Sequence, residues 1–198
     1  MEVKISNNLG DIEEVVNIHL ETFEGFFLTF LGKGFLKVLY KGFIEYENSN
    51  LIIARNETVV VGFLAYSNDM SSFYKYLIKK HLLSFAWFGF LAFLRKPTII
   101  YRLLSAFNKS NEAKREEKYI ELASIGVNPS YKGQGIGSML IKFLQDNFNQ
   151  EKYAYISLET DADKNEYVNN FYKKNGFILD RVYETKQGRR MNEYRYGK

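Results

Sequence analysis

The sequence predicts an α/β fold of the α+β kind, with about six or seven strands and flanking helices in one domain. Three observations carry this expectation. From residue 119 onward, β-branched runs alternate regularly with segments of helical periodicity. Two apolar runs in the N-terminal half are separated by a short polar connection of the kind that joins a hairpin. The length, 198 residues, is that of one globular domain with an elaboration.

In chain order, residues 2–6 (EVKIS) alternate polar and apolar and predict a first strand, with Asp11 as the N-cap of the helix that follows. That helix places Ile12, Val15, Val16, His19, Leu20 and Phe23 at three-to-four spacing, so His19 reads as a packed or capped core histidine on an apolar stripe. A second helical stretch spans Phe30 to Tyr46. It contains Gly32, Gly34 and Gly42, which weaken a helix unless a neighbour must approach closely. Residues 51–54 and 59–66 predict two antiparallel strands joined by a turn at Arg55-Asn56-Glu57-Thr58. Residues 70–118 predict an insertion, helical from Tyr74 to Leu104, with a charged loop from Asn108 to Lys118. Beyond it come strand 119–127, helix 135–148, strand 153–159, helix 165–174, and strands near 177–183 and 191–196 joined by a turn at Gln187-Gly188.

Composition removes several kinds of chemistry. The chain has no cysteine, which excludes a disulfide framework, a thiolate nucleophile and thiolate metal sites, and fits a reducing compartment. With only two histidines, His19 and His81, neither a histidine metal centre nor a Ser-His-Asp triad is expected. The net charge of +4 suits a polyanionic cofactor but is too dispersed to indicate nucleic acid. The N-terminus lacks both a basic n-region and an apolar h-region, so no secretory signal and a cytoplasmic location are expected.

The segment richest in chemistry is Tyr131-Lys132-Gly133-Gln134-Gly135-Ile136-Gly137-Ser138, which follows a strand and opens an amphipathic helix. Glycines there allow consecutive backbone N–H groups to point outward at a helix N-terminus, where four lack intrahelical partners and the dipole is positive. Such a place binds phosphate. The spacing is neither G-x-G-x-x-G nor G-x-x-x-x-G-K-[ST], so a Rossmann dinucleotide site and a P-loop are both unsupported. A tight connection before a helix is the bland alternative.

The segment resembles motif A of the GNAT acetyltransferase superfamily, [QR]-x-x-G-x-[GA], with Lys132, Gly135 and Gly137 at the fixed positions and lysine in place of the usual Gln or Arg. Asn165 to Phe177 (NEYVNNFYKKNGF) resembles motif B of the same superfamily at Asn165, Tyr172, Gly176 and Phe177, with Val168 in place of a small residue. The resemblance leaves the insertion at 70–118 uncovered. It implies a mixed, mostly antiparallel sheet and acetyl-CoA as cosubstrate, lying in a V-shaped gap between strands 120–127 and 153–158. Ile125, Gly126 and Val127 would pair with the pantetheine arm, and Lys132, Gly133, Gln134, Gly135, Ile136, Gly137 and Ser138 would cradle the pyrophosphate. Asn165 would hydrogen-bond the cofactor or cap its helix.

Transfer to an amine requires the neutral amine, and a lysine-like amine has a pKa of about 10.4, so a proton acceptor is needed. The resemblance makes Glu121, eleven residues before Lys132, the candidate base. Strand alternation places it with Ala123 and Ile125; a solvated strand-end glutamate is the alternative. Tyr172 occupies the position of the tyrosine that protonates the leaving thiolate in many members, against a purely core aromatic. The acceptor is expected to be a small-molecule amine. The run Phe30 to Tyr40 looks like members that acetylate nucleotide-linked amino sugars, whereas a peptide, a small amine or a non-catalytic acyl-CoA module are the competing readings. Leu82 to Leu94, flanked by Lys79-Lys80 and Arg95-Lys96, is shorter than the about 20 residues that span a bilayer. It reads as a buried or homodimer-forming helix pair, with peripheral membrane contact as the alternative.

Overall fold

The apolar runs at 51–54 and 59–66 are two adjacent strands of a sheet that extends in both directions from them. The computed structural model describes residues 1–95, 117–185 and 188–197. Its strands are β1 (Glu2–Ile5), β2 (Ser49–Asn56), β3 (Val59–Ser67), β4 (Ile120–Val127), β5 (Ile156–Asp161), β6 (Ile178–Glu184) and β7 (Arg190–Tyr196). They form one sheet in the order β1-β2-β3-β4-β5-β7-β6. Every neighbouring pair is antiparallel except β4 and β5, which run parallel, so the sheet is mixed and mostly antiparallel as expected.

Strand boundaries moved where polar residues still paired. Arg55 and Asn56 belong to β2, and the turn is only Glu57-Thr58, with Glu57 at φ 53. Asp11 is the first residue of α1 (Asp11–Thr22) and makes no N-cap bond. Its buried carboxylate instead accepts from Ser6 Oγ at 2.6 Å and pairs with Arg55 Nη2 at 2.5 Å, which ties α1 to β2.

The expected second helix divides into α2 (Phe27–Phe30) and α3 (Gly32–Glu45), because Gly32 adopts φ 85 at the junction. The other two glycines serve close approach: a Cβ on Gly34 or Gly42 would collide with the Phe88 or Leu77 side chain of α4 (Met70–Arg95). α4 bends at His81, where φ is −124 and ψ 26. Before the bend it buries Phe73 and Leu77; beyond it Leu82, Leu83, Trp87 and Phe90 are exposed, so these four are not the core residues that a buried helix pair requires. Residues 96–116, most of the rest of the expected insertion, lie outside the described residues, as does Gln187 of the turn before β7. Among the described residues no helix is long and apolar enough to cross a membrane.

Two apolar layers cover the sheet. On one face α1, α3 and α4 pack Val15, Leu36, Phe43, Phe73 and Leu77 on Phe63 and Leu51. On the other, α5 (Ile136–Asp146) and α6 (Glu166–Lys174) pack Ile136, Leu140, Leu144 and Tyr172 on Leu64, Leu122, Ile156 and Tyr194. Each fully buried side chain of this size contributes about 1.5–3 kcal/mol. The layers hold β4 and β5 rigidly along their outer neighbours, and this leaves the gap between them free to carry function.

Candidate active site

β4 and β5 pair only at Ile120↔Ile156 and Glu121↔Ser157. Past that point β4 continues along β3 and β5 along β7, so the two strands diverge and the edge of β4 that faces β5 has no strand partner. A cleft of about 840 Å³ occupies the divergence. It is lined by β4 from Leu122 to Val127, the loop and first turn of α5, the end of α1, β5 from Glu159 to Asp161, and one side of α6.

The α5 end of the cleft is built from backbone. Asn128 Oδ1 accepts from Ser130 N at 2.9 Å and fixes the short 3₁₀ turn Pro129–Tyr131 that leads into the loop. Gly133 at φ 81 and Gly135 at φ 78 hold left-handed conformations that favour glycine, and a Cβ on either would point into open space. Gly135 caps α5 without a side-chain bond, so the N–H groups of the first turn remain available beside it. Lys132 lines the same end, its Nζ 5.2 Å from the centre of the Tyr167 ring.

The middle of the cleft is shaped by a bulge. Ser124 opposes Ala65 and Leu122 opposes Tyr66, so Ala123 is an extra residue in β4. Strand alternation restarts there. Leu122 and Ile125 pack toward α5, whereas Glu121 and Ser124 face the α1–α3–α4 side. The expectation that Glu121 shares a face with Ile125 is therefore corrected, because one inserted residue changes the parity of the strand. Glu121, paired in register with Ser157, does not line the cleft, whereas Glu159 of β5 does. The Tyr74 hydroxyl on α4 is pushed above its usual pKa by burial and then by the negative charge of Glu121 and Glu159.

Tyr172 lines the cleft from α6 and is buried at 6 % exposure. Its ring packs 5.9 Å from Phe177 and 6.1 Å from Tyr194, and burial raises the hydroxyl's pKa, so it stays protonated as a donor. Asn165 stands at the N-cap of α6 without capping it; its Nδ2 donates to Thr160 Oγ1 at 2.8 Å and Asp161 O at 3.1 Å, at the wall of the cleft. At the opposite wall His19 is buried, its Nδ1 2.6 Å from Tyr40 Oη, which lies 3.3 Å from Ser124 Oγ. Burial pushes His19 down to about 4.

The family model for the GNAT acetyltransferases matches residues 12–177, from the start of α1 to the end of motif B. The chain belongs to the GNAT family. Its members use acetyl-CoA as the acyl donor, and the protein is an N-acetyltransferase. No curated protein sequence matches the chain. Among solved structures, a GNAT-family protein from Desulfovibrio desulfuricans superposes at TM-score 0.64 with 14% identity, covering 98% of this chain and 96% of that one. The ribosomal-protein-S18-alanine N-acetyltransferase of Escherichia coli gives 0.58 with 14% identity over 98% and 93%. A protein described as a streptothricin acetyltransferase from Bacillus anthracis, solved with acetyl coenzyme A, gives 0.50 with 15% identity over 79% and 66%. At these identities the likeness is one of fold.

Of the expected cofactor residues of this GNAT chain, Ile125, Gly126, Val127, Lys132, Gly133, Gly135, Ile136, Gly137, Ser138 and Asn165 line the cleft together with Tyr172. Gln134 is exposed outside the lining. Sequence reasoning did not bring His19, Ser124, Glu159, Asp161 or Arg189 to the cleft. Arg189 clamps Asp161 with Nη2 at 2.7 and 2.8 Å from its two oxygens. A signal for His19 was present: it is the one imidazole on an otherwise apolar helix stripe.

Proposed function

We propose that the protein transfers acetyl directly from acetyl-CoA to the primary amine of a small acceptor within a ternary complex. The observation that carries this reading is one continuous cleft, which runs from a backbone phosphate cradle at Lys132–Ser138, along the unpaired edge of β4, to a chamber walled by Phe23, Phe26 and Leu28. In it the β4 edge at Ile125–Val127 would hold the pantetheine arm by backbone hydrogen bonds. The glycine loop and first turn of α5 would hold the pyrophosphate. Asn165 would keep the β5–α6 corner in place beside it.

The chemistry then needs three proton movements. An ammonium acceptor loses one proton to become a nucleophile, and Glu121 takes it through a water, since its carboxylate stands on the α1–α3–α4 side of the sheet, where its charge and that of the lining Glu159 both act on Tyr74. The amine attacks the thioester carbonyl, and the nitrogen of the adduct loses a second proton. The departing thiolate takes one from Tyr172, whose proton solvent restores when products leave.

For the acceptor, the aromatic chamber supports an amino sugar carried on a nucleotide. Lys33 and Lys37 of α3 do not contribute, because both pair with Glu13. Glu21 and Glu159 in the lining favour a second reading, a cationic amine of the kind acetylated by aminoglycoside enzymes. Thiol release from acetyl-CoA with a panel of nucleotide amino sugars, aminoglycosides, polyamines and N-terminal peptides tests both. A higher kcat/KM for the nucleotide sugars supports the first reading, one for the polycations supports the second, and turnover of peptides alone overturns the small-acceptor proposal.

A further inference from the structure

The His19–Tyr40–Ser124 chain crosses a region that is otherwise rings and aliphatic groups, and both its ends line the cleft while Tyr40 is fully buried between them. His19 is 3 % exposed, and its Nε2 is buried without a hydrogen-bond partner. A buried nitrogen left so costs about 1–3 kcal/mol. Around it are Phe23, with ring centres 4.6 Å apart, and Phe63 at 6.5 Å; neither can satisfy a polar atom. His19 also holds a short bond to a tyrosine on another helix, which in turn reaches the residue that follows the β4 bulge.

We propose that His19, Tyr40 and Ser124 form a proton relay that removes the second proton from the acetylated nitrogen, with Nε2 of His19 as the acceptor. This inference rests on the acetyl-transfer reading above and adds residues that lie outside both sequence motifs. The step balances as follows. The N–H bond of the tetrahedral adduct breaks as Nε2–H forms; Nδ1 gives its proton to Tyr40 Oη; Tyr40 gives its own to Ser124 Oγ; Ser124 releases one to water in the cleft. The ring begins and ends neutral, with the tautomer reversed, and returns to its starting state by reverse transfer through the chain as the emptied cleft refills with water. A relay fits this site better than a lone base. Burial disfavours the imidazolium here, with a pKa near 4, so a ring that kept the proton would be a charge among phenyl groups, whereas handing on the Nδ1 proton avoids that charge. The direction also requires that Nδ1 carry the hydrogen at rest and Nε2 the lone pair.

Two measurements test the relay separately from the acetyl-transfer reading. The protein has only two histidines, so ¹⁵N-histidine NMR with His81→Gln for assignment reads the resting tautomer of His19 without any substrate. The expected result is Nδ1–H with bare Nε2 at neutral pH; Nε2–H with bare Nδ1 overturns the relay. In turnover, Tyr40→Phe keeps the buried ring and removes one oxygen. It should lower kcat by about 10- to 100-fold with KM for acetyl-CoA within about twofold, and it should reduce the solvent deuterium isotope effect. Ser124→Ala should act in the same direction. Wild-type kcat and isotope effect in folded Tyr40→Phe would overturn the proposal. If no amine is turned over by the wild type, the acceptor reading fails, and the tautomer alone still decides the state of His19.

Discussion

Replacing Gly135 by Asp separates the phosphate cradle from the scaffold that carries it. Gly135 caps α5 at φ 78 and ψ 3, and nothing lies within 4 Å of an added Cβ, so no clash follows. The left-handed backbone costs a side chain about 1–2 kcal/mol, with Asp among the residues that tolerate it. A carboxylate at a helix N-terminus offsets about 0.3–1 kcal/mol of this. The free variant should therefore lose about 1 kcal/mol, a Tm decrease of about 2–4 °C in a chain of this length. Ligand response should change far more. At 100 times its Kd, acetyl-CoA stabilises the wild type by about 2.7 kcal/mol, a rise of about 5–10 °C. If the negative charge weakens binding about 100-fold, the same concentration only equals the new Kd. The gain then shrinks to about 0.4 kcal/mol, a shift of about 1 °C. A thermal melt with and without acetyl-CoA reads both effects, and Gly25→Asp, also at φ 78 in open space but outside the cleft, controls for backbone strain. A folded Gly135→Asp protein with a full acetyl-CoA shift would refute the cradle.

Three further outcomes are expected. Tyr172→Phe should reduce kcat strongly while leaving the acetyl-CoA melt shift intact, since the packed ring stays and only the donor to the thiolate is lost; equal kcat would return Tyr172 to a packing role. Glu121→Gln should lower the rate at neutral pH by about 100- to 10,000-fold and recover at high pH as the amine arrives deprotonated; a wild-type profile would leave Glu121 a partner of α4 only. His19 has a folded pKa of about 4 against 6.5 unfolded, so it binds fewer protons folded, and its stability contribution, complete above pH 6.5, is lost as pH falls through 4. Urea melts should therefore show about 2–3 kcal/mol more loss between pH 7 and 4.5 in the wild type than in His19→Gln, and equal losses would place the His19 ring in contact with solvent.

The strand and helix pattern after residue 119 was legible because each element there obeys one periodicity and ends in a glycine or polar turn. β4, β5, α5 and α6 all appear within a few residues of their expected bounds. The phosphate cradle was legible for a related reason: backbone geometry depends on glycine spacing, which sequence displays directly. Side-chain geometry was less accessible. Ala123 reads as an ordinary strand residue, and nothing in Leu122-Ala123-Ser124 announces an extra position, yet it decides which face Glu121 takes. Asp11 looked like a cap because helix starts attract such residues, but Arg55, forty-four positions away, captured its carboxylate. Leu82 to Leu94 satisfied a hydrophobic criterion for burial, yet Leu82, Leu83, Trp87 and Phe90 are exposed, because apolar content cannot say which side chains meet a partner surface.

The bulge and the two-pair β4–β5 contact act as one device. Had the strands paired along their full length, the edge of β4 would be spent on β5 and no cleft would open. Had β4 opened without a bulge, Ser124 would exchange faces and lose Tyr40, and the polar chain to His19 would end in an apolar wall. The divergence thus supplies the space, and the inserted residue decides which side chains look into it. Because both features are held by β3 and by the apolar layers beneath Phe63 and Leu64, the acceptor chamber can vary through α1 and α2 without disturbing the acyl end.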